Sequence, residues 1–207
     1  MKKVILSLMI GILLISLFSF GVVIAQANGQ ENEKGQEGIG TALKVLDRLK
    51  EKTEENIENE AGDKINLRLM ENNRIRLRVK NVSADCDCEL EQEQVQNKTK
   101  LKAKLSNGRY AEIKIMPDTA SERALERLRL KVCSEENNCS IELKEVGKGN
   151  ETKLAYEVQA ERHAKILWLF RKKMQVKAQV DAETGEIIRV KKPWWAFLAS
   201  EPDETEE

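Results

Sequence analysis

Four cysteines and one histidine carry the most distinctive chemistry in this 207-residue chain. The cysteines stand as Cys86-Asp87-Cys88 and as Cys133 and Cys139, with Ser134-Glu135-Glu136-Asn137-Asn138 between the second two. In an exported chain an even number of cysteines reads as disulfides. Three pairings are open. A Cys86–Cys88 bridge closes a very tight ring, so cross-pairing between the two groups is at least as expected. The rival is chelation of a soft metal by Cys-x-Cys thiolates. Paired structural-zinc ligands usually stand about two to four residues apart, and the Cys133–Cys139 gap does not fit that pattern. Disulfide is therefore the expected role, and neither a metal nor a cofactor is expected. His163 has no nucleophile or orienting acid beside it in sequence, and no G-x-S-x-G, H-E-x-x-H, phosphate-loop or dinucleotide motif occurs. Carboxylates are abundant, but abundance without geometry identifies no acid/base pair. The expectation is a protein that is not an enzyme.

Four Asn-x-Ser/Thr sequons, at Asn81, Asn97, Asn138 and Asn150, form a second chemical set. With 13 Asn and 13 Ser plus Thr in residues 28–207, chance spacing would give about one. Each lies in or beside an expected turn, where a glycan could be carried. The competing reading is that Asn and Ser simply favour turns.

Export is written into the N-terminus. Lys2-Lys3 precedes an almost uninterrupted apolar run, Val4–Ile24, and Ala25-Gln26-Ala27 is a small-x-small cleavage site. The run is longer than an ordinary signal core and could span a bilayer. Residues 1–27 therefore read as a signal peptide or, uncleaved, as an N-terminal anchor, the only membrane contact that the expected organisation requires. Both place the rest extracellularly or at the cell surface. Residues 28–207 carry 33 basic and 35 acidic groups, so 68 of 180 are charged and the net charge is −2. Such a balance disfavours a chain-wide polyanion binder and a large apolar enzyme core.

The elements that position these residues follow from periodicity. Residues 28–38 are a polar tether, and 39–60 an amphipathic helix, with Leu43, Leu46 and Leu49 in its stripe between about Thr41 and Asn59. From 64 to 116 the period is two. Ile65, Leu67 and Leu69 turn at Glu71-Asn72-Asn73 into Ile75, Leu77 and Val79. Leu101, Ala103 and Leu105 turn at Asn107-Gly108 into Tyr110, Ile113 and Ile115. Asn-Gly predicts a type I′ hairpin turn. The alternate positions Arg74, Arg76, Arg78, Lys100, Lys102 and Lys104 would form a basic sheet face. It could take an acidic glycan, but lacks the interleaved aromatic residues of a nucleic-acid binder, and nucleic acid is not an expected partner. A salt-bridged, solvated face is the plainer reading. After Pro117-Asp118 a short helix is expected, with Thr119-Ala120-Ser121-Glu122 as a capping box. Period-two segments follow at 139–146, 153–160, 174–180 and 186–190.

Residues 117–192 resemble a PepSY domain, the small α+β module found in propeptides of thermolysin-like metalloproteases and as a free-standing exported domain. The matching features are the helix with Ala120 and Ala124-Leu125, the strand Leu154-Ala155-Tyr156-Glu157-Val158, and the turn Val180-Asp181-Ala182-Glu183-Thr184-Gly185-Glu186-Ile187-Ile188. In that turn Asp181 and Thr184 would bond local amides and Gly185 would take the left-handed position. The resemblance implies an α+β fold, with antiparallel hairpins and a short helix on a β-meander. It also implies a non-catalytic exported protein that binds or restrains a peptidase or another envelope protein. The alternative is a surface module that is structural or binds acidic glycan through the basic face.

One departure from the PepSY pattern is an excess of residues at 161–172, which include His163, Ile166, Leu167, Trp168, Leu169 and Phe170 among Lys and Arg. This is a long hairpin with an apolar tip, or a short helix. Trp168 and Phe170 either cover the open side of the sheet or contact a partner or membrane. Residues 193–200 hold Trp194 and Trp195, expected to fold back on the core, with membrane-interface binding as the rival. Residues 201–207 are an acidic tail with the composition of a disordered segment.

Overall fold

The computed structural model describes residues 43–95, 98–133, 138–167 and 169–200. The expected signal segment, the tether, Asn97, Trp168 and the acidic tail lie outside the described residues. All the described residues belong to one compact unit, 37–207.

The alternating runs build what their period dictates. β1 (Leu43–Lys44) and α1 (Val45–Lys52) open the fold, followed by β2 (Glu54–Glu58), β3 (Lys64–Leu69), β4 (Ile75–Val79) and β5 (Val82–Cys86). β6 (Glu89–Val95), β7 (Lys98–Lys104) and β8 (Tyr110–Glu112) come next, then α2 (Pro117–Leu128). β9 (Ser140–Val146), β10 (Lys153–Ile166), β11 (Phe170–Asp181), β12 (Ile187–Lys191) and β13 (Ala199–Ser200) complete the chain.

The large sheet runs β2-β3-β4-β5-β9-β10-β11-β12, in chain order from edge to edge, and β13 pairs with β10. Every step is antiparallel except β5–β9, where Asp85 and Cys86 lie opposite Glu142 and Leu143 in parallel. A parallel step needs a crossover. Here the crossover carries β6, β7 and β8, which with β1 form a small sheet in the order β1-β6-β7-β8, and α2. One face of the large sheet supplies Ile65, Leu67, Leu77, Leu143, Tyr156, Val158, Met174 and Val180 to a single core, which Val45 and Leu49 of α1, Leu90 and Leu101 of the small sheet, and Ala120, Ala124 and Leu128 of α2 complete. The opposite face carries ion pairs such as Arg76–Asp85 and Lys144–Glu157.

This architecture corrects the α+β expectation. Strands hold 53% of the described residues and there are two α-helices, so the fold is β-rich with a large mixed sheet rather than a clear PepSY-like α+β fold. The physical reason is continuity. The β-hairpin region and the 117–192 segment are not separate layers, because β5 bonds β9 and α2 packs across β4, β5, β10 and β11.

Local corrections follow. The expected 39–60 helix stops at Lys52. Thr53 takes φ 65°, and Glu54–Glu58 becomes the edge strand β2, with Ile57 against Ile65 in the core. The Thr119 capping box does not form. Pro117 occupies the first turn, where its missing N–H is harmless, so Thr119 lies inside the helix. The Asn107-Gly108 hairpin forms with a different turn. Only Gly108 has positive φ (80°); the Gly108 amide donates to the Leu105 carbonyl, and the Leu105 amide to the Arg109 carbonyl. That is a three-residue loop of the bulged kind. Residues 161–166 and 170–172 extend β10 and β11, the hairpin reading, rather than forming a helix.

Candidate functional site

β9 pairs with β10 only as far as Gln159, so the seven residues from Ala160 to Ile166, with their β11 partners, project beyond that neighbour. At about 3.3 Å per residue the projection is roughly 20 Å long. Its base is braced: Arg162 is 2% exposed and donates to the Leu128 carbonyl at the end of α2. Ala164 and Met174 are buried beside it.

The C-terminal segment returns to this arm. After β12 a 3₁₀ turn, Trp194–Leu198, leads into β13, which pairs Ser200 with Lys165 and Ala199 with Ile166. The Leu167 amide donates to the Leu198 carbonyl at 3.2 Å, and the Lys172 ammonium lies 5.1 Å from the centre of the Trp195 ring. The arm and the segment thus form one end of the molecule. Leu167, Leu169 (77% exposed), Phe170 (67%), Trp194 (81%), Phe197 and Leu198 lie there, six of the nine large apolar side chains left exposed among the described residues. Phe170 therefore does not cover the sheet, because β11 carries it past the sheet's margin. Trp195 is half-buried under Lys172.

Beside the apolar cluster on the arm stand exposed Lys165, Arg171, Lys172 and Lys173. On the described arm itself the one acid, Glu161, is already engaged by Lys173 at 3.4 Å and by the Asn138 amide at 2.8 Å. Asn138 first, then Lys173, holds the Glu161 carboxyl below the ordinary carboxylate range. His163 is exposed opposite Lys173 on the same arm.

The other candidate residues are dispersed. Cys86 bonds Cys88, and Cys133 bonds Cys139, with Cα separations of 5.3 and 5.1 Å. Cross-pairing is therefore not what the fold uses. Asn81 and Asn150 are exposed in turns, while Asn138 is tied to Glu161. In the expected turn, Asp181 Oδ1 accepts from the Glu183 and Thr184 amides, Thr184 Oγ1 accepts from the Glu186 amide, and Gly185 has φ 75°. Burial would raise the Asp181 pKa, but those amides and the Lys153 ammonium 3.0 Å away outweigh it and hold the carboxylate ionised. These contacts close a turn.

The six basic residues do not share one face. Arg74, Arg76 and Arg78 project from the open side of the large sheet, whereas Lys100, Lys102 and Lys104 project from β7, on the small sheet that covers its other side. Arg76 is bidentate to Asp85, Arg74 faces Glu142, and Arg78 donates to the Lys80 carbonyl. Lys100 pairs with Glu60 and Glu112, Lys102 with Glu93, and Lys104 with Glu89. Five of the six are paired with acids within the fold, and Arg78 is tied to the backbone.

Comparison with protein-family models, with curated proteins and with solved structures finds no match for this chain. The arm must therefore be read from its own chemistry. Among the described residues no group of three or more His, Cys, Asp and Glu is placed to hold a metal, and no helix is long and apolar enough to cross a membrane. Sequence reasoning singled out Trp168, which lies outside the described residues, with Phe170, Trp194 and Trp195, and placed Leu169 in the same apolar tip, but gave Phe197 no role. The available signal was an apolar residue at each position of a polar, Lys/Arg-rich stretch.

Proposed function

We propose that this chain is an exported, non-catalytic binding protein of the cell envelope that engages its partner through the end of the β10–β11 arm. One observation carries the reading: six large apolar side chains are exposed at a single protruding end beside cations, against three elsewhere among the described residues. Apolar side chains so concentrated in water mark a contact surface. Export is supported by the Lys2-Lys3, apolar and Ala25-Gln26-Ala27 layout, and by two disulfides of the kind that persist in oxidising compartments. The PepSY resemblance supplies a peptidase or another envelope protein as one class of partner.

The test is retention of residues 28–207 on washed cell envelopes of the source organism, wild type against Leu169→Asp/Phe170→Asp/Trp194→Asp. These side chains are exposed, so the variant should melt like wild type and lose roughly tenfold or more in retention, as removal of an apolar anchor does. Equal retention of the two proteins would overturn the reading.

A further inference from the structure

We infer that the surface this end engages is the headgroup region of an anionic lipid bilayer. The inference rests on the binding reading above and names its partner. Three features select a bilayer. The site is convex: Leu167, Leu169 and Phe170 cap a projecting hairpin, and Trp194 and Phe197 stand beside it on a short 3₁₀ turn, so side chains can enter a soft medium with no matching groove. The composition is interfacial: Trp and Phe sit with Leu at the tip, while Lys165, Arg171, Lys172 and Lys173 follow it on the arm. Aromatic rings and snorkelling cations suit the boundary between acyl chains and headgroups. The charge is complementary. Each Lys or Arg near an anionic surface adds attraction, and the one described acid beside these cations, Glu161, is already paired.

The last seven residues include Glu201, Asp203, Glu204, Glu206 and Glu207, directly after β13. Their charge opposes an anionic surface, so apolar insertion must supplement the cations. Binding should weaken with salt without vanishing.

All three tryptophans, Trp168, Trp194 and Trp195, belong in sequence to the hairpin tip or the returning segment, so intrinsic fluorescence reports on this end without a label. The experiment uses residues 28–207, which retain every contact described here and lack the N-terminal apolar run. The protein is titrated with vesicles of neutral phosphatidylcholine and of phosphatidylcholine with about one third phosphatidylglycerol, and sedimented. Expected are a blue shift, quenching by lipids brominated near the headgroup, and roughly tenfold or greater preference for the anionic vesicles. The Leu169→Asp/Phe170→Asp/Trp194→Asp variant should lose sedimentation, and Lys165→Glu/Arg171→Glu should lose the anionic preference. If neither vesicle binds wild type while envelope retention still depends on the arm, the partner is a protein and the lipid inference fails with the binding reading intact. If the apolar variant binds vesicles as wild type does, insertion of this end is excluded.

Discussion

Glu157 shows how a charged residue can be held on the ionic face of the large sheet. It is 7% exposed, and its carboxylate accepts from Lys144 at 2.7 Å, Gln179 at 2.8 Å and Lys177 at 3.3 Å. Burial alone would raise its pKa. The three donors outweigh burial and bring it down to about 2. Because the folded value lies below the unfolded one, the stabilisation is complete above the ordinary glutamate pKa and is lost as pH falls from there towards 2. Glu157→Gln should therefore cost about 1–2 kcal/mol at pH 7, after solvent screening of the half-exposed lysines, and melt more nearly like wild type at pH 2.5. Melting curves at the two pH values check this; an equal deficit at both would mean that packing, and not charge, holds the site. Tyr156 is fixed differently. Its ring is fully buried and its hydroxyl donates to the Ile115 carbonyl, tying β10 to the approach of α2.

At the scale of elements, each cystine closes a local loop. Cys86–Cys88 constrains the passage from the large sheet to the small one, at the end of β5, and Cys133–Cys139 closes the connection between α2 and β9. Digestion without reduction, followed by mass spectrometry, should find only these two bridges. A peptide joining Cys86 or Cys88 to Cys133 or Cys139 would contradict the strand arrangement, since it would tether segments that the fold holds apart. The arm also belongs to this scale. β10 and β11 outrun β9 and β12, so the end of β10 and the start of β11 lack sheet partners on their outer sides, except where β13 pairs Lys165 and Ile166 of β10. The arm can therefore present its tip beyond the body of the sheet while Arg162, Ala164 and Met174 anchor its root.

For the whole molecule, the parallel β5–β9 step joins what periodicity presents as two segments. If this pairing and the packing of α2 on β4 and β5 are required, residues 117–200 expressed alone should lack a cooperative thermal transition, whereas 28–207 should melt in one. A fragment that folds cooperatively by itself would show the 117–192 segment to be a separable domain. The open face of the large sheet carries paired charges, while the arm end carries exposed apolar groups and cations, so the two surfaces suit different neighbours: water and a docking partner.

Alternation placed β3, β4, β7 and β9–β12 because each repeats apolar residues at every second position, a pattern that survives in any sheet with one face buried. The apolar and basic character of 161–173 and 193–200 was equally legible, as was the turn at Asp181. The strands β5 and β6 were not. Glu89–Val95 points Gln92 inward against Thr99, so the alternation expected of a core strand is blurred. β2 was hidden in an acidic stretch that also suits a helix, and its pairing with β3 decided the matter. The sequence by itself determined local period, turn chemistry, cysteine count and the composition of the arm, since these depend on neighbours a few residues apart. Only the tertiary structure decided which strands adjoin, which cysteines pair, that the basic residues fall on two sheets, and that the hairpin tip and the C-terminal tryptophan segment meet. Those outcomes depend on burying one face of eight strands under a common layer, a condition that couples residues more than a hundred positions apart.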